Sequence, residues 1–138
     1  MKPTTSLAAL ACAALFAIGL SISAIAGAPL PDTDNDGIPD EWDNCSTESN
    51  TDQCDTNTDG YGNLCDSDVN DDGAVGTPDF NEFRANFGST VPPGDPDDDF
   101  NCDNAIGTPD FNIFRAAFGG LPGPSGLGCA GTSPCEGV

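Results

Sequence analysis

The sequence predicts a small protein ordered by bound cations and disulfides, irregular in its first half and mostly α, as a duplicated pair of loop-helix units, in its second. Three observations predict this class. The 138 residues include 23 Asp and Glu against 3 Lys and Arg, with no His and a formal charge of −20. Nineteen of the acids are Asp, and most recur at intervals of two residues. A thirteen-residue segment also returns at an offset of 31 with eleven identities. So much like charge either keeps a chain unfolded or is neutralised by something bound. The aspartate spacing decides between those outcomes.

Composition excludes several functions first. Nucleic-acid recognition needs clustered Lys and Arg, which are absent. Without His there is no Ser-His or Cys-His catalysis and no ordinary zinc site. At the start of the chain, Lys2 precedes an apolar run from Leu7 to Ile25 that ends in Ala24-Ile25-Ala26. A basic start, an apolar middle and small residues at −3 and −1 describe a secretory signal over residues 1–26, cleaved after Ala26. The run is long enough to span a bilayer, so a retained anchor is the alternative. Cys12 sits too deep within it for lipid attachment. The expectation is a secreted protein, with no membrane contact once the signal is removed, whose only cations are Arg84 and Arg115.

Export also decides how the cysteines are read. Cys45, Cys54, Cys65, Cys102, Cys129 and Cys135 form an even set in a short secreted chain, which points to disulfides with fifteen possible connectivities. Cys129 and Cys135 are the easiest pair, closing a small loop in the Gly/Pro-rich segment 121–138. The spacing assigns none of the others.

Four segments match a twelve-residue calcium loop, with ligands at positions 1, 3, 5, 7 through the backbone carbonyl, 9 and 12, and a turn at 6. The first loop has Asp32, Asp34, Asp36, Gly37, the Ile38 carbonyl, Asp40 and Asp43. The second has Asp55, Asn57, Asp59, Gly60, the Tyr61 carbonyl, Asn63 and Asp66. The third has Asp68, Asn70, Asp72, Gly73, the Ala74 carbonyl and Asp79. The fourth has Asp99, Asn101, Asp103, Asn104 at the turn, the Ala105 carbonyl and Asp110. Position 9 is Gly76 in the third loop and Gly107 in the fourth, where water fills the ligand place. Calcium takes six to eight oxygens, so Asp and Asn suit it. About four calcium sites are expected; a solvated acidic linker is the bland alternative.

Residues 27–66 carry little apolar material beyond Ile38, Trp42, Tyr61 and Leu64, too little for a core. Residues 67–120 contain the duplication, Gly76-Thr-Pro-Asp-Phe-Asn-Glu-Phe-Arg-Ala-Asn-Phe-Gly88 and Gly107-Thr-Pro-Asp-Phe-Asn-Ile-Phe-Arg-Ala-Ala-Phe-Gly119. Each copy predicts a short helix with Thr77 or Thr108 at the N-cap, proline in the first turn and glycine at the end. Phe80, Phe83 and Phe87, with Phe111, Phe114 and Phe118, are spaced to form one small core. Pro92 to Asp98 reads as linker, and the tail from Gly120 as flexible.

Asp32-Thr-Asp-Asn-Asp-Gly-Ile-Pro-Asp-Glu-Trp-Asp-Asn-Cys45, with Asn50, Gln53 and Asp55-Thr-Asn-Thr-Asp-Gly-Tyr-Gly-Asn-Leu-Cys65-Asp66, resembles thrombospondin type 3 repeats. The resemblance implies a chain wrapped around calcium ions and a Cys45–Cys65 disulfide. Asp68-Val-Asn-Asp-Asp-Gly-Ala-Val-Gly-Thr-Pro-Asp79-Phe and Asp99-Phe-Asn-Cys-Asp-Asn-Ala-Ile-Gly-Thr-Pro-Asp110-Phe resemble the two halves of a dockerin. That resemblance implies two calcium ions and a surface that docks onto a cohesin-like secreted or surface protein. It places partner contacts at Thr77, Arg84, Thr108 and Arg115, and it brings an association with polysaccharide breakdown. Three functions compete: a calcium-ordered docking or adhesion module, a structural spacer without a specific partner, and a glycosidase. Paired carboxylates are the glycosidase's tool, but the spaced aspartates are already assigned to the loops and no core is large enough for a substrate cleft.

Overall fold

The computed structural model describes residues 29–135. The secretory signal expected over residues 1–26 lies outside the described residues. Among them are two α-helices, α1 (Thr77–Asn86) and α2 (Thr108–Ala117), short 3-10 turns at Asp40–Trp42 and Pro96–Asp98, and no strand.

Each helix begins one residue earlier than the Thr N-cap reading implies. Gly76 and Gly107 are the N-caps, and the threonines occupy the first helical position. The reason lies in Asp79 and Asp110. Their Oδ2 atoms accept the cap amides of Gly76 and Gly107, each at 2.7 Å. A carboxylate three residues in thus satisfies a donor that would otherwise be orphaned. The helices end as expected: Gly88 and Gly119 adopt φ of 90° and 87°, a region that favours glycine.

The core is narrower than the six-Phe expectation. Val75, Phe83, Phe100, Ile106 and Phe114 are buried together, with Phe80 and Phe111 packed against them. The rings of Phe83 and Phe114 stack at 5.7 Å with 6° between their planes. Phe87 and Phe118 instead stand 48% and 53% exposed. Both are C-cap residues with ψ near extended values, 128° and 124°. The helical stripe stops before it reaches them. Phe100, outside the stripe, takes an interior place and stacks on Phe83 at 5.6 Å.

Backbone pairing ties each loop to the opposite helix end. The Gly88 amide donates to Ile106 O at 2.8 Å, and the Gly119 amide donates to Val75 O at 2.8 Å. Val75 and Ile106 are the eighth residues of loops three and four, so the duplication has a two-fold character in its packing.

The first half is hydrogen-bonded to the second. Asn63 Nδ2 donates to the carbonyls of Pro96 and Asp99 at 3.1 and 3.2 Å, and the Thr56 hydroxyl donates to Asp97. Cys54 is bonded to Cys102 across 48 residues. Cys45–Cys65 and Cys129–Cys135 are the other two pairs, with Cα separations of 5.7 and 5.2 Å.

Two segments depart from their expected looseness. Asp98 is fully buried rather than part of a solvated linker. The tail, expected to be flexible, runs back along the first two loops. The Gly126 amide donates to Asp43 O, Gly131 to Asp59 O and Cys135 to Thr58 O, at 2.8, 2.9 and 2.7 Å. Gly123 permits the approach, because a Cβ there would lie 2.7 Å from the Tyr61 ring.

Candidate metal centres

The four loops share one backbone form. Position 4 has positive φ in every loop: Asn35 at 63°, Thr58 at 60°, Asp71 at 56° and Cys102 at 53°. Position 6 does too, with Gly37, Gly60 and Gly73 at 98°, 90° and 89° and Asn104 at 70°. Asparagine at the fourth turn is the side chain that tolerates this region best.

The same hydrogen bonds recur in each loop. The position-1 carboxylate accepts the position-6 amide at 3.1, 3.0, 2.6 and 2.7 Å in loops one to four. Position 3 accepts the amide of position 5 at 3.1, 3.1, 3.0 and 3.1 Å. Position 5 accepts the amide of position 7 at 2.8, 2.8, 3.2 and 2.9 Å. In loops one and two the position-1 carboxylate is held by one oxygen, leaving Asp32 Oδ1 and Asp55 Oδ1 without a donor. In loops three and four it is held by both, because Asp68 Oδ1 and Asp99 Oδ1 also accept the Asp72 and Asp103 amides, each at 3.1 Å.

The first loop draws its acids closest. Carboxylate oxygens of Asp32, Asp34 and Asp36 lie within 4.8 Å of one another. Asp43 is fully buried. Gln53 Nε2 donates to its Oδ1 at 2.8 Å, while Oδ2 is buried with no partner. Asp32 Oδ1 and Asp34 Oδ2 are likewise buried and unpartnered. Buried oxygens left without donors are costly, and a hard divalent cation is what such a set fits. The residues present at this loop therefore fit a divalent metal ion. The Asn50 amide, donating to Asp36 Oδ2 at 2.9 Å, braces the third carboxylate.

At the second loop a carboxylate group forms from Asp59, Asp66 and Asp71, again within 4.8 Å. Asp55 Oδ1 is buried and unpartnered there. Position 9 is hydrogen-bonded within its own loop. Asp40 Oδ1 accepts the Thr33 amide at 2.6 Å, and Asn63 Oδ1 accepts the Thr56 amide at 2.9 Å. Both oxygens close their own loops from within.

Loops three and four do not gather three carboxylates this tightly among the described residues. Position 3 is asparagine in both, and Asp79 and Asp110 each bridge two amides. Their Oδ1 atoms accept from Asn70 and Asn101, each at 3.3 Å. Asp79 and Asp110 are fully buried, with Asp68 and Asp99 nearly so. The Ala74 and Ala105 carbonyls hold the seventh positions of these loops, as those of Ile38 and Tyr61 do in the first two.

Crowding and burial raise carboxyl pKa values in all four loops. Burial is the largest cause at Asp34, Asp59, Asp68 and Asp99, and neighbouring carboxylates add to it. Asp66 is pushed up to about 8 by burial, against the Asp68 amide that donates to it. Asp98 is pushed up to about 6, again mainly by burial, with Asn86 opposing. An uncompensated charge in these places is unfavourable, as metal ligands without their metal would be.

The expected partner residues Thr77, Arg84, Thr108 and Arg115 are all exposed. Arg84 edges an open apolar depression of about 200 Å³ lined by Phe80, Phe83, Phe87 and Phe111. Sequence reasoning missed Asp71, which stands at a non-ligand position of its own loop, and Asp98. Only tertiary proximity identifies them. Comparisons with protein-family models, curated proteins and solved structures found no match.

Proposed function

We propose that this chain is an exported, non-catalytic docking module whose order comes from calcium held in four loops. The observation that carries the calcium reading is the set of buried, donorless oxygens on Asp32, Asp34 and Asp43, on a loop backbone repeated four times. Calcium supplies the charge that lets these carboxylates remain ionised while buried. The resemblances to thrombospondin type 3 repeats and to dockerins agree with this chemistry, the first over residues 32–66 and the second over 68–119.

Docking is supported by the pairing of the two helices. Each presents threonine at its start and one arginine further along, exposed and at matching positions. A protein partner with acidic residues around an apolar side chain, cohesin-like in kind, suits Arg84 beside the Phe80–Phe111 depression. The structural spacer predicts the same ions and no such partner.

Surface plasmon resonance against a panel of cohesin domains, run in calcium and then in chelator, tests the docking reading. Calcium-dependent capture is expected. The double variant Arg84→Ala, Arg115→Ala should weaken it at least ~10-fold, the scale of interface hot spots. No capture by any cohesin, or capture indifferent to both arginines, favours the spacer.

A further inference from the structure

We propose that Asp71, a residue of the third loop, is a ligand of the cation held by the second loop, so that one ion bridges both loops. This rests on the calcium reading above and adds a residue that the loop template leaves out.

Three carboxylate oxygens, from Asp59, Asp66 and Asp71, lie within 4.8 Å of one another. Asp59 and Asp66 are only 6% and 8% exposed, so solvent does little to separate their charges. Each has one oxygen committed within the chain: Asp59 Oδ1 accepts the Tyr61 amide at 2.8 Å, and Asp66 Oδ1 accepts the Asp68 amide at 3.0 Å. No described donor reaches the second oxygen of either. At the first position of the same loop, Asp55 Oδ2 accepts the Gly60 amide at 3.0 Å, while Oδ1 is buried without any partner. The described cations, Arg84 and Arg115, belong to the helices, and no basic residue lies in either loop.

Asp71, itself exposed, brings a carboxylate oxygen to this group from loop three. It occupies the fourth position, where φ is 56°. Asn57, the third residue of loop two, donates its Nδ2 to Asp71 Oδ1 at 3.4 Å. Asp59, Asp66 and Asp71 line a cavity of about 340 Å³ that Pro122, Gly131 and Ser133 of the tail close on one side. That is room for a hard cation with water completing its shell. Cys102, the fourth residue of loop four, also reaches toward loop two, through its bond to Cys54, the residue just before that loop. Position 4 is thus the outward contact of both later loops.

The consequence is coupling. Asp71 lies between Asn70 and Asp72, two ligands of loop three, so an ion that orders loop three also places Asp71 for loop two. By linkage each ion then raises the affinity for the other by the same factor.

The test uses terbium and the full mature chain with its disulfides intact. Tyr61 is the sole tyrosine and stands at the seventh position of loop two. In a Trp42→Phe background, terbium luminescence excited through Tyr61 therefore reports on that loop. Asp71→Gly keeps the left-handed backbone and removes the ligand; Asp71→Asn keeps the shape and removes the charge. Asp52→Asn, at an exposed acid outside both loops, controls for net charge. Asp71→Gly is expected to weaken terbium binding, and calcium competition against it, at least ~10-fold, Asp71→Asn by less, and Asp52→Asn by under ~2-fold. Asp71→Gly matching Asp52→Asn while the parent binds overturns the shared site and leaves the four-loop reading standing. A parent with no Tyr61-excited signal that also takes up no calcium overturns both.

Discussion

Asp43 is the proposed calcium ligand whose surroundings are most sharply defined. Its backbone is buried, Gln53 holds one carboxylate oxygen, and the other has no donor. Asp43→Asn should lower calcium stoichiometry by one and reduce the calcium-dependent part of the stability. A site held at a hundred times its dissociation constant contributes about 2.7 kcal/mol, and calcium-dependent thermal unfolding measures the loss. The same substitution should leave the metal-free protein equally or more stable, because it removes a buried like charge. Asp66 makes the corresponding statement about pH. Its folded pKa of about 8 lies above its ordinary value of 3.8, so the metal-free fold binds a proton that the unfolded chain releases. The metal-free fold should therefore be more stable at about pH 5 than at about pH 8, losing stability as pH rises through that window. Calcium should expel the proton and reverse the trend. Calorimetry near pH 7 in buffers of different ionisation enthalpy would register the released proton. Equal apparent heats in every buffer would contradict it.

At the scale of elements, the helices carry the apolar packing and the loops carry the charge. Phe114→Ala removes a buried ring stacked against Phe83 and should cost about 3–5 kcal/mol. Phe118→Ala, at a half-exposed C-cap, should cost well under half of that; urea denaturation in saturating calcium compares them. The loops were legible in the sequence because their spacing is itself the chemistry: oxygens two residues apart, with a left-handed turn at position 6, read the same on paper and in space. The helix starts were legible only to within one residue. Asp79 and Asp110 serve both as the last loop position and as the cap, and that double use displaced the threonines. Phe87 and Phe118 show where periodicity stops helping, since a stripe that continues in the sequence does not continue past the last helical turn. Asp71 carried no local signal at all, because its partners belong to another loop.

As a whole molecule, the chain is closed on itself by three devices that no local pattern announces. Cys54–Cys102 joins the two halves, the Pro96–Asp99 segment accepts hydrogen bonds from Asn63, and the tail follows the first two loops back to Thr58. Cys129–Cys135 was legible from its spacing and Cys45–Cys65 from a family resemblance, whereas Cys54–Cys102 depends on how the halves meet. Loop-closure entropy for a crosslink of this span is about 4 kcal/mol. The double variant Cys54→Ser, Cys102→Ser should lose a large part of that in chemical denaturation with calcium present. If the halves were independent units, the same variant would unfold in two transitions with the α1–α2 half unaffected. One destabilised transition is expected, because hydrogen bonds and the Asp59–Asp66–Asp71 group also cross the boundary.

The most direct measurement is a calorimetric calcium titration of residues 27–138 with the disulfides intact, with circular dichroism recorded before and after chelation. About four ions, accompanied by ordering that chelation reverses, is the predicted result. No binding at millimolar calcium, with a dichroism spectrum indifferent to chelator, would contradict it.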